Sequence, residues 1–445
     1  MKQIDISSRT FALMMTFLLS ICFLAASPAP RVLANPQDPP AATAHLDSVQ
    51  ITGSQRFTSA QIASAIGLRA GQEVNRDGLQ GAADKLAELG LFENIHYRFS
   101  TVGTGVKVTY EVADAPLLPV TFDNFPWVAD DDLAAALKAS GILFNGSAPA
   151  KGTVLDAMSS ALIQTLDQHG VHAHVTHQVI SMPVENQMVQ QFRVDDADLT
   201  VQSIEFNDAL AKNDRAIQAS LSDLVGKPYS RSRIELFEFE QVRPIYLEHS
   251  YLQVQFGPTV AQFTSKSPDS LSGPLVISAP IIVGPAYQWG GVEWKGNSSI
   301  ASPNLDQLVD LQPGSPADGN KIEVIWQRVR AAYGQAGFLD ASLDHEPQFD
   351  EKTGHVIYRV TINEGPQYHM GNLVLTGLSL EGERRIRAGF PIASDAIFDK
   401  DMYEKFLATG IKQAFAGLPV HYEKIGRFLQ EDQANAKVDV MLDFQ

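Results

Sequence analysis

The last residues of the chain carry its plainest pattern. Val438, Val440, Leu442 and Phe444 alternate with Asp439, Met441 and Asp443, which is the two-residue period of a strand with one buried face. A second period occurs upstream. Ile322, Ile325, Val329 and Tyr333 fall at i, i+3, i+7 and i+11, along one face of a helix. Gly337 follows shortly after, where a helix C-terminus takes a left-handed residue.

The two periods recur in a fixed order. Five short stretches open alike: VQITG (49–53), VTFDN (120–124), IEFND (204–208), VEWKG (292–296) and LVLTG (373–377). They close on Gly53, Asn124, Asp208, Gly296 and Gly377. These residue types tolerate left-handed backbone, so each stretch predicts a strand ending in a turn. Five further stretches also correspond: LGLFENIHY (89–97), HGVHAHVTH (169–177), HSYLQVQF (249–256), AGFLDASLD (336–344) and AGLPVHYEK (416–424). Their turn positions, Gly90, Gly170, Ser250, Gly337 and Gly417, are 80, 80, 87 and 80 residues apart. A period kept over four steps marks an internal repeat rather than five unrelated domains.

Between the two stretches each repeat has room for two helices, which in the first would be Ser59–Ala65 and Arg76–Leu89. Each repeat then closes with another strand: KVTYEVAD, QMVQQFRV, GPLVISAPIIV, HVIYRVTI and AKVDVMLDF. The predicted fold class is α+β: five tandem β-α-α-β-β domains, each a three-stranded mixed sheet covered by two helices. The last two strands form a hairpin, and the first pairs with one of them across the helices. At about 80 residues, each repeat can bury a modest core of its own. The expected boundaries are 45–115, 116–196, 197–285, 286–366 and 367–445, after an exported leader (1–34) and a linker (35–44).

The leader has a pattern of its own. Lys2 and Arg9 precede FALMMTFLLSICFLAA (11–26), which carries no charge, and Val32-Leu33-Ala34 supplies a small-residue site. This reads as a secretory signal cleaved after Ala34. The alternative is a retained anchor, for which 16 apolar residues are short. Cys22 is the only cysteine and lies inside the apolar run. A cleaved chain would have no disulfide, thiol nucleophile or cysteine metal site. Net charge is −17, and removing Lys2, Arg9, Arg31 and Asp5 with the leader takes it to about −19. Such a balance repels nucleic acid and anionic lipid.

At 284–297 the chain reads GPAYQWGGVEWKGN, and at 363–378 NEGPQYHMGNLVLTGL. Pro285 to Gly296 and Pro366 to Gly377 are both eleven residues apart. This joint, Gly-Pro, then Tyr, then an alternating strand ending on glycine, resembles that of POTRA domains. These are the polypeptide-transport-associated repeats of BamA-type outer-membrane assembly proteins and their translocase relatives. The resemblance covers roughly residues 45–445 and is strongest in repeats one, four and five. Such proteins continue into a membrane β-barrel of at least about eight strands. Here the sequence reaches Gln445 as the fifth repeat completes its sheet, so pore or insertase activity is not carried over.

Candidate chemistry is sparse. The sequence contains no Gly-X-Ser-X-Gly, His-Glu-X-X-His or phosphate loop. Asp130, Asp131 and Asp132 stand at an expected helix start, where carboxylates complement the dipole; the glycine and terminal glutamate of a calcium loop are missing. GERRIR (382–387) is a basic stretch on an expected helix face. Asp340 and Asp344 read as strand-face carboxylates rather than catalytic acids. Four of the eleven histidines lie in HGVHAHVTH. If Val171 begins a strand, His172 and His174 face one way and His177 the other, so the four do not converge. His172 and His174 could contact a metal at two points, but no third ligand is evident.

No catalytic, cofactor-binding or metal residue is therefore assigned, and no cofactor is expected. The resemblance implies a periplasmic, non-catalytic protein associated with the outer membrane. It would bind unfolded outer-membrane protein clients, or an outer-membrane β-barrel partner, by strand addition. The exposed edge would be the strand after the second helix, over 92–98, 171–177, 251–257, 338–344 and 418–424. The candidate residues are Phe92, Asn94, His96, His172, His174, Leu252, Val254, Leu339, Ala341, Val420 and Tyr422. One alternative is a structural scaffold docking on a separate barrel, spaced by the joints at Pro285 and Pro366. The other is a histidine-metal hydrolase in repeat two.

Overall fold

The computed structural model describes residues 33–34, 43–103, 105–182, 187–264, 271–418 and 422–445. The expected leader and linker lie outside the described residues, except Leu33–Ala34 and residues 43–44. The chain divides into two compact bodies. The first is Met1–Glu205, Ala219–Leu236 and Thr259–Ser278; the second is Phe206–Gln218, Phe237–Pro258 and Ala279–Gln445. Repeats one and two belong to the first, repeats four and five to the second, and repeat three is shared between them.

The order strand, two helical segments, two strands recurs in all five repeats, although in repeat three the first segment is broken into Ala209–Asn213 and Arg215–Ser220. The first strands are Ala44–Thr52, Leu118–Phe122, Asp198–Phe206, Gln288–Lys295 and His369–Thr376. The last strand of each repeat is the middle one in space: Gly105–Asp114, Gln187–Asp195, Ser272–Ala279, His355–Asn363 and Lys437–Phe444. In repeats one, two, four and five it runs parallel to the first strand and antiparallel to the strand just before it in sequence. Each of these four sheets is mixed, as expected. In repeat three the predicted GPLVISAPIIV strand is split. Ser272–Ala279 stays in the three-stranded sheet, while Ile281–Ile282 pairs with Gln255–Phe256 beyond Pro280, whose missing N–H breaks the ladder.

The helices form where the periods place them. In repeat one they are Ser59–Ala65 and Arg76–Glu88, the latter one residue shorter than expected. Thr58 and Gln61 make a reciprocal capping box at the first. In repeat four, Gly319–Gln335 starts at Asp318, whose carboxylate accepts from the Asn320 and Lys321 N–H groups. Its Ile322, Ile325, Trp326, Val329 and Tyr333 are all buried, each worth about 1.5–3 kcal/mol of transfer free energy. Repeats one and two share one continuous apolar core, whereas repeats four and five each have their own.

All five expected turn positions after the second helix are left-handed. Gly90, Gly170, Gly337 and Gly417 have φ of 77–86°, and Ser250 has φ 68°. After Gly170, Ser250 and Gly337 the next N–H reaches back five residues: Val171 to Leu166, Tyr251 to Tyr246, Phe338 to Tyr333. This is a Schellman closure with an apolar residue following it.

The turns after the first strands follow two designs. Gly53, Gly296 and Gly377 are left-handed, and a Cβ there would lie 1.9, 2.1 and 1.8 Å from the Val112, Ile362 and Phe444 carbonyl oxygens. Asn124 and Asp208 were expected to be left-handed too and are not. The Asn124 side chain instead accepts from the Val194 N–H at 2.7 Å and donates to its carbonyl at 2.9 Å. In repeat three that role falls to Asn207, on Ile281, while Asp208 caps the following helix. A side-chain amide thus replaces the backbone contact that glycine allows elsewhere.

Candidate functional site

Each repeat closes one edge of its sheet, and in repeats two to five the other edge has no partner among the described residues. On the closed side, the residues before the second helix bridge antiparallel to the first strand. The pairs are His45 with Glu73, Pro119 with Ser147, Thr200 with Pro228, Gln288 with Pro316 and His369 with Ile397. The open side belongs to the outer strands Phe92–Val102, His174–Met182, Val260–Phe263, Ser342–Asp350 and Ile425–Asp432. In repeats two to five these are terminal in their sheets among the described residues. In repeat one, Leu33–Ala34 lies parallel on the open edge, opposite His96 and Tyr97.

Only the first of these strands begins where expected. The others start four to ten residues after the left-handed turn, because the apolar residues after it go into the core before the backbone can join the sheet. The candidate residues scatter accordingly. Phe92 is buried at the start of its strand, Asn94 is left-handed (φ 50°) in a bulge, and His96 is exposed opposite Glu111. His172 precedes its strand, and His174 begins it, exposed, opposite Asp195. Leu252 and Val254 lie before any strand, and Leu252 packs on the core of repeat four. Leu339 and Ala341 also precede their strand, Leu339 packing on repeat five and Ala341 on repeat four. Tyr422 rests on Phe415 and Phe444, off the edge. Val420 lies outside the described residues. Phe428 and Leu429 of the last outer strand, 58% and 36% exposed, are functional candidates that the hydrophobic period does not mark. IGRFLQED has no clean alternation to betray them.

The histidine stretch resolves into separate local contacts. The His172 Nδ1 lies 2.7 Å from the Asp167 Oδ1. His177 faces Phe192 and Gln190 on the other side of the sheet. No group of three His, Cys, Asp or Glu side chains that could hold a metal occurs among the described residues. The arginines of GERRIR pair with the helix's own acids: Arg384 and Arg385 with Glu381, Arg387 with Glu383. Asp344 lies on its strand as expected, but Asp340 precedes it.

Asp340 belongs instead to the joint between repeats four and five. The Tyr368 N–H donates to the Gly337 carbonyl at 2.8 Å and its hydroxyl to Asp340 at 2.7 Å. Tyr287 does the same one joint earlier, its N–H to the Ser250 carbonyl at 3.1 Å and its hydroxyl to Gln253 at 2.9 Å. Each Gly-Pro-X-Tyr motif thus ties its tyrosine to the left-handed turn of the preceding repeat. Burial, with Asp340 nearby, pushes the Tyr368 hydroxyl up to about 12. Burial and the neighbouring Asp340 likewise raise the Glu431 carboxyl on the outer strand of repeat five.

The chain is similar to several known proteins. The family model POTRA, described as "Surface antigen variable number repeat", matches residues 44–114 and 287–365. Those two stretches, in repeats one and four, therefore match as POTRA domains. A Treponema pallidum (strain Nichols) protein named "Putative outer membrane protein assembly factor" is 21% identical over 222 residues. The match covers 48% of this chain and 26% of that protein, so the chain aligns with about a quarter of the relative's length. POTRA3-5 of BamA from Haemophilus influenzae is 15% identical with a TM-score of 0.41, over 56% of this chain and 96% of that one. POTRA1-3 of the periplasmic domain of Omp85 from Anabaena is 11% identical with a TM-score of 0.19, over 90% and 95%.

Proposed function

We propose that this chain is a non-catalytic, periplasmic POTRA-repeat protein of outer-membrane protein assembly or translocation, exported by its leader and associated with the outer membrane. It would accept extended segments of unfolded outer-membrane clients, or of a β-barrel partner, along its outer strands. We take the repeats to be 45–115, 116–196, 197–285, 286–366 and 367–445. The observation that carries the reading is the asymmetry of the sheets: bridges before the second helix close one edge, and in repeats two to five the other has no partner among the described residues. A row of unpaired backbone donors and acceptors binds an added strand through the main chain, largely whatever its sequence. Several weak edges in series would act by avidity. The test is a peptide with the alternating pattern of a barrel strand. Its expected effect is to shift backbone amide signals along 92–102, 174–182, 260–263, 342–350 or 425–432. Shifts confined to helix faces would refute strand addition.

The tyrosine joints favour a second reading, a scaffold that holds repeats three, four and five at fixed spacing for one folded barrel partner. A pull-down returning a single folded barrel, with no binding of unfolded clients, would select it.

A further inference from the structure

The open faces of the sheets are not alike. Three residues before the Gly or Asn that ends each first strand, a row of three side chains crosses the sheet at matched register. In repeat one it is Gln50–Thr109–Arg98, in repeat two Thr121–Gln191–Gln178, in repeat four Glu293–Arg359–Glu346. All three rows are polar. In repeat two the row is also covered in part, since the Gln191 amide donates to the Ser232 hydroxyl. In repeat five the same row is Val374–Met441–Phe428, and the three are 37%, 39% and 58% exposed.

This apolar row runs out to the open edge. Phe428 sits on the outer strand and leans over Gly426, where a Cβ would meet the ring at 3.1 Å. The outer strand of repeat four carries Pro347 and the carboxylates Asp344, Glu346 and Asp350, features that discourage pairing. Ile425–Asp432 has no proline and ends its sheet with an aromatic side chain exposed. The rows on either side are acidic. Asp443 pairs in register with Thr376 and Gly426, and Asp439 lies opposite Gln430. Asp432 follows on the outer strand, and hydrogen bonds hold both it and Asp443 below the usual carboxylate range. The one lysine of the middle strand, Lys437, is engaged by Asp395 at 2.8 Å.

We infer that the outer edge of repeat five selects its strand: it takes an extended polypeptide segment with an aromatic or aliphatic residue flanked, two positions away on each side, by lysine or arginine. The apolar residue would continue the Val374–Met441–Phe428 row by one strand, and the flanking cations would lie beside the acidic rows. Such cross-strand neighbours are the unit of sheet stabilisation. This inference rests on strand addition as the binding mode, and adds that the edge of repeat five reads side chains.

The test uses the full chain and three nine-residue alternating peptides: one with a central Phe and Lys at both flanks, one with Ser at the centre, one with Glu at the flanks. Titrations are followed by the amide signals of 425–432. The first peptide is expected to bind this edge about fivefold more tightly than the other two, because each cross-strand pair is individually weak. Phe428→Thr, an exposed substitution that keeps β propensity, is expected to abolish the preference while the binding shifts remain. Equal binding of all three peptides at this edge would overturn the inference and leave strand addition standing. No shift along any outer strand would remove strand addition itself. Self-association of the peptide-free chain that Phe428→Thr abolishes would make the row a contact between copies, and would also overturn the inference.

Discussion

Ser250 occupies a backbone position that the other four repeats give to glycine. It has φ 68°, is 3% exposed, and its hydroxyl has no hydrogen-bond partner among the described residues. A side chain in the left-handed region costs about 1–2 kcal/mol. An unpaired buried hydroxyl adds roughly 1–3 kcal/mol. Against this, glycine gains about 0.4–1 kcal/mol of freedom in the unfolded chain, and a small void is left behind. Ser250→Gly is therefore expected to stabilise the second body by about 1 kcal/mol. Three of the four tryptophans, Trp289, Trp294 and Trp326, lie in that body, so tryptophan fluorescence reports its urea transition. With a slope of about 2 kcal/mol/M, the midpoint should rise by about 0.5 M at unchanged slope. Ser250→Ala separates the two causes, since alanine keeps the backbone penalty but removes the hydroxyl, and should give a smaller gain. A midpoint that falls in Ser250→Gly would refute the reasoning, because it would mean that the buried hydroxyl holds the joint through its contacts.

Four further outcomes are expected. Gly377→Ala should destabilise repeat five by more than about 3 kcal/mol, since its Cβ would stand 1.8 Å from the Phe444 oxygen. Gly314→Ala, left-handed at φ 83° with open space around it, should cost only about 1–2 kcal/mol in the same urea transition. Asn124→Ala leaves the Val194 N–H and carbonyl without their amide partner, so about 2–4 kcal/mol should be lost and the Val194 amide should exchange faster. Glu431 has its carboxyl pKa raised by burial and by Asp340. The proton is thus held more tightly in the folded chain, and stability present at low pH is lost as pH rises through the folded value. Glu431→Gln should be more stable than the parent at pH 7, with the difference vanishing below about pH 4; an unchanged difference across that range would show that the charge is not the cause.

Local patterns carried much of the architecture. The helix face Ile322–Tyr333 and the alternation of Val438–Phe444 are short-range periods, and both are buried as the residues predict. The left-handed turn at Ser250 was legible only through the repeat, since serine by itself gives no such signal. The outer strands were placed too early in four repeats, because Val171 and Phe338 look strand-like but are drawn into the core by the Schellman closure. The candidate site suffered most from that offset: Leu252, Leu339 and Tyr422 proved to be packing residues, and Phe428 was passed over.

The sequence alone determined the order of elements, the five-fold repetition and the helix ends, because each depends on contacts within a few residues or on spacing along the chain. Which edge of each sheet stays open, that Asn124 and Asn207 stand in for a glycine, and that Val374, Met441 and Phe428 form one exposed row were decided by the tertiary structure. These features depend on the register between strands up to about seventy residues apart, and register is set by packing the whole repeat, so no local pattern encodes it.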